Sequence, residues 1–389
     1  MTLLLVVIRI LDPFCGSGTT ALTIQQLYSE NTLVDSVEIN PFLALLAQAK
    51  IEAYTHNIKE LKRVKSQIIT WVNKNKYFQL QILSLSTFNN HQYFTKETIK
   101  ELFLYEEAIK NISTNSQQKR FFQVGWTAIL HKISYLRKDG RALRYVPNRQ
   151  IQNVGDAIEE QWSMMISDLE SAVLPKNKSS IYLGNAIKLG KVYNCSNNKL
   201  ANLANRKYSL CFYSPPYCNS MDYTEIYKLE LWGLKLVQTN EVFKNLRLST
   251  LCSHPTLKKI PKKYELSKDE KCQKLWDYHE KLTNKNVLNL VSKRQKEFLP
   301  WLIKGYFDDM YIAIKQQYKA LLPGGYLVII VSGSRYKNIV ISTDVILSSL
   351  IENIGMIVRD IWVARTHWNR IGQIENLRES VIIAQKPDL

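Results

Sequence analysis

Apolar residues run almost unbroken from Leu3 to Leu11, the pattern of a parallel strand covered on both faces. A short turn containing Gly16 and Gly18 follows, and then Ala21 to Tyr28 has helical spacing. Thr32 to Ile39 reads as a second strand with Glu38 near its end, and Pro41 to Ala53 as a second helix. This β-α-β-α opening is that of a doubly wound sheet. The alternation stops near Ile51. From there to about Lys178 the pattern is mostly helical, as in Ile58 to Val64, with few strand signals. Strand-like sequence returns at Ser180 to Leu183, before Gly184-Asn185, and at Tyr208 to Tyr213, before Ser214-Pro215-Pro216-Tyr217. A helix is predicted over Glu225 to Val237, and a polar, lysine-rich stretch from Asn240 to about Leu299. The order then resumes: a helix from Phe307 to Leu321, a turn at Pro323-Gly324-Gly325, and a strand from Tyr326 to Val331. A helix from Thr343 to Ile354 follows, with strands near Met356 to Ala364 and at Ser380 to Ala384. No internal repeat or low-complexity linker interrupts the chain. The organisation predicted is one discontinuous α/β core, residues 1–53 and 179–389. It carries a helical insertion at 54–178 and a lysine-rich insertion at 240–299.

Composition changes this picture in one respect. The 389 residues are 46% hydrophobic and 22% charged, ordinary for a folded domain, but the net charge is +18 and the pI near 9.4. Such an excess favours a polyanionic partner, because each phosphate neutralised by Lys or Arg releases condensed counterions. Nucleic acid ranks ahead of an acidic membrane on this ground. The six cysteines, Cys15, Cys195, Cys211, Cys218, Cys252 and Cys272, form no CxxC pair and no Cys/His cluster of zinc-ligand spacing, so no metal is expected. They read as free thiols of a reducing, cytoplasmic compartment. The apolar stretch Met1 to Ile10 lacks a basic n-region and is too short to span a bilayer.

Glycine is needed where the backbone turns sharply and a ligand lies against it with no Cβ between. Gly16 and Gly18 stand directly after a predicted buried strand and open a helix, and Glu38 ends the next strand, where a carboxylate can accept ribose hydroxyls. A dinucleotide-binding turn shares this geometry but has a third glycine; here Ala21 falls near that place.

The fuller string Leu11-Asp12-Pro13-Phe14-Cys15-Gly16-Ser17-Gly18-Thr19-Thr20 closely resembles the cofactor motif of the amino-methylating DNA methyltransferases, which act on adenine or cytosine exocyclic nitrogens. Val37-Glu38-Ile39-Asn40-Pro41 is similar to their second motif. The resemblance implies a class I methyltransferase fold, Rossmann-like with a mainly parallel seven-stranded sheet, and S-adenosyl-L-methionine as cofactor. It places Asp12 and Pro13 toward the methionine end, Phe14 beside the adenine, Gly16 and Gly18 under the ligand, and Glu38 on the ribose. Asn185 stands where the family commonly has an acid near the adenine amine; an amide oxygen can still accept that hydrogen bond. In the family a segment ahead of the glycine motif packs against the methionine end. Only Met1 to Leu11 precede Asp12 here, so a longer start or a separate chain is expected to supply it.

Ser214-Pro215-Pro216-Tyr217 resembles the catalytic tetrapeptide of the same family. An exocyclic amine conjugated to a heteroaromatic ring is a poor nucleophile, because its lone pair is delocalised. Accepting hydrogen bonds from its two N–H groups pushes the nitrogen toward sp³. Ser214 Oγ and the Pro215 carbonyl suit those roles, and Pro216 helps keep the loop rigid without a competing N–H. Tyr217 suits stacking on an extruded base. Serine in first place resembles the cytosine-N4 branch, with adenine N6 as the alternative, then an RNA base or a non-catalytic binding subunit. The string from Cys218 to Tyr223, Lys228 to Trp232, and Gly140 to Tyr145 resemble one bacterial branch of these enzymes. The 54–178 insertion is expected to serve target recognition in duplex DNA. Lys258, Lys259, Lys262 and Lys263 are expected on phosphates, where lysine offers charge without fixed geometry. Arg365 and Arg370 are expected to line the DNA cleft. His131, His254 and His279 receive no catalytic role.

Overall fold

The computed structural model describes residues 7–27, 31–80, 93–139, 142–172, 178–218, 221–254, 293–336, 339–368 and 374–388. The chain opens with strand β1 (Ile8–Asp12), helix α1 (Thr19–Leu27), strand β2 (Thr32–Glu38) and helix α2 (Pro41–Glu52). Helices α3 (Ile58–Lys74), α4 (Lys96–Ile112) and α5 (Ser116–Ala128), a hairpin of β3 (Leu136–Asp139) and β4 (Ala142–Tyr145), and helix α6 (Val154–Glu170) fill the insertion. Strands β5 (Lys178–Leu183), β6 (Val192–Asn194), β7 (Leu200–Ala201) and β8 (Tyr208–Tyr213) return to the core. Short helices α7 (Tyr223–Ile226) and α8 (Lys228–Gly233), then α9 (Asn240–Ser249) and the long α10 (Lys293–Ala320), come next. The last part holds β9 (Leu321–Ser332), the small pair β10 (Ser334–Tyr336) and β11 (Ile339–Ile341), α11 (Thr343–Asn353), β12 (Ile357–Trp368) and β13 (Ile374–Gln385).

The main sheet has the order β12-β13-β9-β8-β1-β2-β5-β6-β7. β1 pairs in parallel with β2 and β8, β2 with β5, and β8 with β9, while β13 and β12 are antiparallel. This is the mixed, mainly parallel α/β sheet expected, with nine strands where seven were predicted. The additional β6 and β7 are short antiparallel edge strands whose apolar pattern is too brief to register. β1 lies at the reversal of strand order, so the crevice beyond its C-terminal end is the ligand position such sheets favour.

Alternation along the strands explains the two covered faces. Leu11, Val37, Tyr182 and Tyr213 point to the side packed by Phe307, Met310 and Ile314 of α10 and Leu347 and Ile351 of α11. Ile10, Val34 and Ile181 point to the other, against Ala21 and Ile24 of α1 and Ala44, Ala47 and Ile51 of α2. The insertion builds its own core around Phe122, Trp126 and Trp162, into which α8 sends Leu229 and Trp232. A further tie is the part-buried, bidentate pair of Arg120 on Glu52, at 2.8 and 2.7 Å.

Three elements differ from the sequence expectation. The helix predicted over Glu225 to Val237 breaks at Tyr227, whose φ of −100° and ψ of 19° end α7 and begin α8. The helix before β9 starts at Lys293 rather than Phe307. Pro323-Gly324-Gly325 does not end the sheet. Gly324 takes a φ of +71°, its N–H donates to Lys386 O, and Lys386 N–H donates to Gly325 O. Pairing with the terminal segment thus carries β9 through that step. Among the described residues no helix is long and apolar enough to cross a membrane.

Candidate active site

Beyond the C-terminal ends of β1, β2, β5 and β8 lies a cleft of about 860 Å³. Its walls include Asp12, Pro13, Phe14, Gly16, Glu38, Asn185 and the whole of Ser214 to Tyr217, together with Arg365. Two strings two hundred residues apart in the chain therefore face one space. The parallel pairing of β1 with β8 brings them there, since each string is the exit of one of those strands.

The glycine turn is held by the acid of the next strand. Gly16 N–H donates to Glu38 Oε2 at 2.7 Å, and Asn40 N–H donates to Glu38 Oε1 at 2.8 Å. Asn40 in turn caps α2, its Oδ1 accepting from Phe42 and Leu43 N–H, with Pro41 at the first helical position. Gly16 has a φ of +54°, and a Cβ there would meet nothing within 4 Å. Gly18 is held at φ +84°, and its missing Cβ would lie 2.9 Å from Ala47 Cβ. Its absent side chain lets α2 pack against the turn.

Asp12 Oδ1 accepts from Phe14 N–H at 3.0 Å, and the Phe14 ring leans on Tyr213 with centroids 5.1 Å apart. Asn185 lines the cleft with its amide engaged: Nδ2 donates to Ser249 O at 2.8 Å, and Oδ1 accepts from Ile187 N–H at 3.0 Å. The oxygen keeps its second lone pair.

Burial raises both acids of the cleft floor, Asp12 to about 6 and Glu38 to about 7. Asp309 is likewise pushed up by burial, to about 7, and accepts from Cys252 N–H at 2.9 Å. Because these folded-state values lie above the unfolded ones, the fold favours the protonated forms. That stability is complete below about pH 4 and is lost as pH rises through about 6 to 7. For Glu38, moving from 4.5 to about 7 corresponds to about 3 kcal/mol. Thermal melts from about pH 4 to about pH 8 should therefore show falling stability, and Glu38→Gln should flatten that fall. An unchanged slope in the variant would mean that Glu38 does not titrate in this range.

Several wall residues carried no readable signal. Asp222 is buried, accepts from Thr224 and Glu225 N–H through Oδ1 at 3.1 and 3.2 Å, and receives Arg247 Nε and Nη2 on Oδ2 at 2.8 and 2.7 Å. His254, given no role from sequence, lines the cleft with Nδ1 3.5 Å from Asp222 Oδ2; burial lowers its pKa and favours the neutral ring. Glu379 of β13 reaches the tetrapeptide: Tyr217 Oη donates to its Oε1 at 2.5 Å, and Ser214 Oγ donates to Tyr217 Oη at 3.4 Å. Glu379 also pairs with Arg365 at 2.5 Å, so that arginine is engaged at the cleft wall. No pattern around Ile374 to Ser380 pointed to this acid. Asp222 and Tyr223 lay inside the string that resembled one bacterial branch, which was the available hint. Lys258, Lys259, Lys262, Lys263 and Arg370, and the Gly140-Arg141 step, lie outside the described residues.

No family model matches the chain. It is 24% identical to the Type II methyltransferase M.BsoBI of Geobacillus stearothermophilus and 27% identical to the Type II methyltransferase M.AvaI of Anabaena variabilis. Each match covers 97% of this chain and 80% of the relative. The Type II methyltransferase M.MvaI of Kocuria varians is 21% identical over 88% of this chain and 74% of its own length. The chain is thus distantly similar, over nearly its full length, to type II methyltransferases. Among solved structures, a SAM-dependent methyltransferase from Methanosarcina mazei covers 98% of this chain and 93% of its own at 10% identity and a TM-score of 0.30.

Proposed function

We propose that this chain methylates an exocyclic amine of a base extruded from duplex DNA, using S-adenosyl-L-methionine, with cytosine N4 as the target. The observation that carries the reading is the single cleft shared by the glycine turn, Glu38 and the Ser214-Pro215-Pro216-Tyr217 loop. The residues fit the cofactor. Gly16 leaves open space where a Cβ would stand, and Glu38 offers a buried carboxyl for the ribose hydroxyls. Asp12 would hold the methionine end, and Phe14 and Asn185, which line the same cleft, would flank the adenine. When bound, the cofactor supplies an electrophilic methyl on its sulfonium.

The chain's own residues do the rest. Ser214 Oγ and the Pro215 carbonyl accept the two amine N–H groups and aim the nitrogen lone pair. Tyr217 supplies a ring for the base to stack on. The nitrogen itself attacks, so no cysteine nucleophile is required, and burial keeps the nearby Cys15 a neutral thiol. The helical insertion and the lysines from Lys258 to Lys263 serve DNA, in keeping with the net charge of +18.

Incubation with the cofactor and duplex DNA, followed by digestion and mass spectrometry, should reveal N4-methylcytosine. Duplex binding should weaken steeply with salt, with a slope set by the phosphates neutralised. N6-methyladenine as product would keep the chemistry and overturn the base assignment. Preference for folded RNA, or salt-independent binding, would overturn the DNA assignment.

A further inference from the structure

We infer that Glu379 is a positioning residue that sets the hydrogen-bond polarity of Ser214, an inference that rests on the methyltransferase reading of the cleft. A carboxylate only accepts, and Arg365 only donates. With Arg365 Nε on Oε2 at 2.5 Å, the other oxygen of Glu379 takes the Tyr217 hydroxyl proton, at 2.5 Å. The phenol proton is thereby committed toward β13, and the phenol oxygen is left to accept. Ser214 Oγ–H points at it over 3.4 Å. The chain of donors runs in one direction, from Ser214 to Tyr217 to Glu379.

This direction matters for the amine. Ser214 can help only by accepting an N–H through an Oγ lone pair. If the phenol donated to Ser214 instead, one of those lone pairs would be occupied. Burial, reinforced by the bond to Glu379, pushes the Tyr217 phenol up to about 12, so it stays a donor over the working pH range. The strand register brings the groups together, since Glu379 lies opposite Arg365 on β12 and Ser332 on β9.

The isosteric Glu379→Gln is the sharp test. Arg365 can only donate, so the amide oxygen faces it and the NH₂ faces the phenol. That reverses the chain while keeping its volume. We expect kcat to fall about 10- to 100-fold, the range for one charge-assisted hydrogen bond, with cofactor and DNA dissociation constants within about twofold of wild type. The loss should overlap with that of Ser214→Ala, so that the double variant is no slower than Ser214→Ala alone. In a Tyr217→Phe background, where no phenol remains to donate to Ser214, Glu379→Gln should cost nothing further, so that this double variant matches Tyr217→Phe alone. Full kcat in Glu379→Gln, or losses that multiply with Ser214→Ala, would overturn the polarity assignment while the methyltransferase reading stands. A wild type that forms no methylated base overturns that reading, and this inference with it.

Discussion

Gly16→Val is expected to weaken S-adenosylmethionine binding by more than about 100-fold. The space that the added side chain would enter is cleft, since no atom lies within 4 Å of an ideal Cβ at this position. On the proposed reading the cofactor, rather than the packed protein, would meet the new atoms. A φ of +54° adds backbone strain for a β-branched residue, of the order of 1–2 kcal/mol. Gly16→Ala adds less bulk and less strain and should fall between the two. Gly18→Ala offers the contrast. Its Cβ would press on Ala47 at 2.9 Å, so its effect should be a lowered melting temperature, not a direct block of the cleft. Calorimetric titration of the four proteins separates these outcomes. Wild-type affinity in Gly16→Val would remove the cofactor assignment of the turn.

Ser214→Ala is expected to lower kcat by about 100-fold and to leave cofactor affinity unchanged. The hydroxyl lies at the exit of β8 and bonds to Tyr217 within its own loop, so its removal should leave the core packing of Leu11, Tyr213 and Val331 intact. What is lost is one acceptor for the amine, and that acceptor matters most as the nitrogen becomes tetrahedral. Single-turnover rates of methyl transfer with saturating cofactor test this directly. A variant that transfers methyl at the wild-type rate would place the amine on other groups of the cleft.

Much of the core is legible in the chain because its signals are local. The run up to Leu11, the glycines after it, and Pro41 behind the capping Asn40 each specify a conformation within a few residues. The Pro-Pro step after Tyr213 likewise marks a strand exit without reference to anything distant. The mostly helical character of the stretch after Ile51 is legible in its apolar spacing, while the hairpin of β3 and β4 within it is not. The elements misjudged are those where backbone hydrogen bonds from elsewhere override local preference. Gly324 continues a strand because Lys386 pairs with it, and β6 and β7 exist because β5 offers an edge.

The same division runs through the cleft. Sequence by itself determined which residues could hold a nucleoside-like ligand and grip an amine, since glycine freedom, a strand-end acid and paired prolines are properties of the residues themselves. Only the tertiary structure decided that the two strings share one space, through the parallel pairing of β1 with β8. It also decided that Gly18 serves packing against Ala47, and that Glu379, 162 residues beyond Tyr217, fixes the phenol. Side-chain hydrogen bonds act over about 3 Å whatever the distance along the chain, so partners brought together by sheet register leave no pattern in the sequence between them.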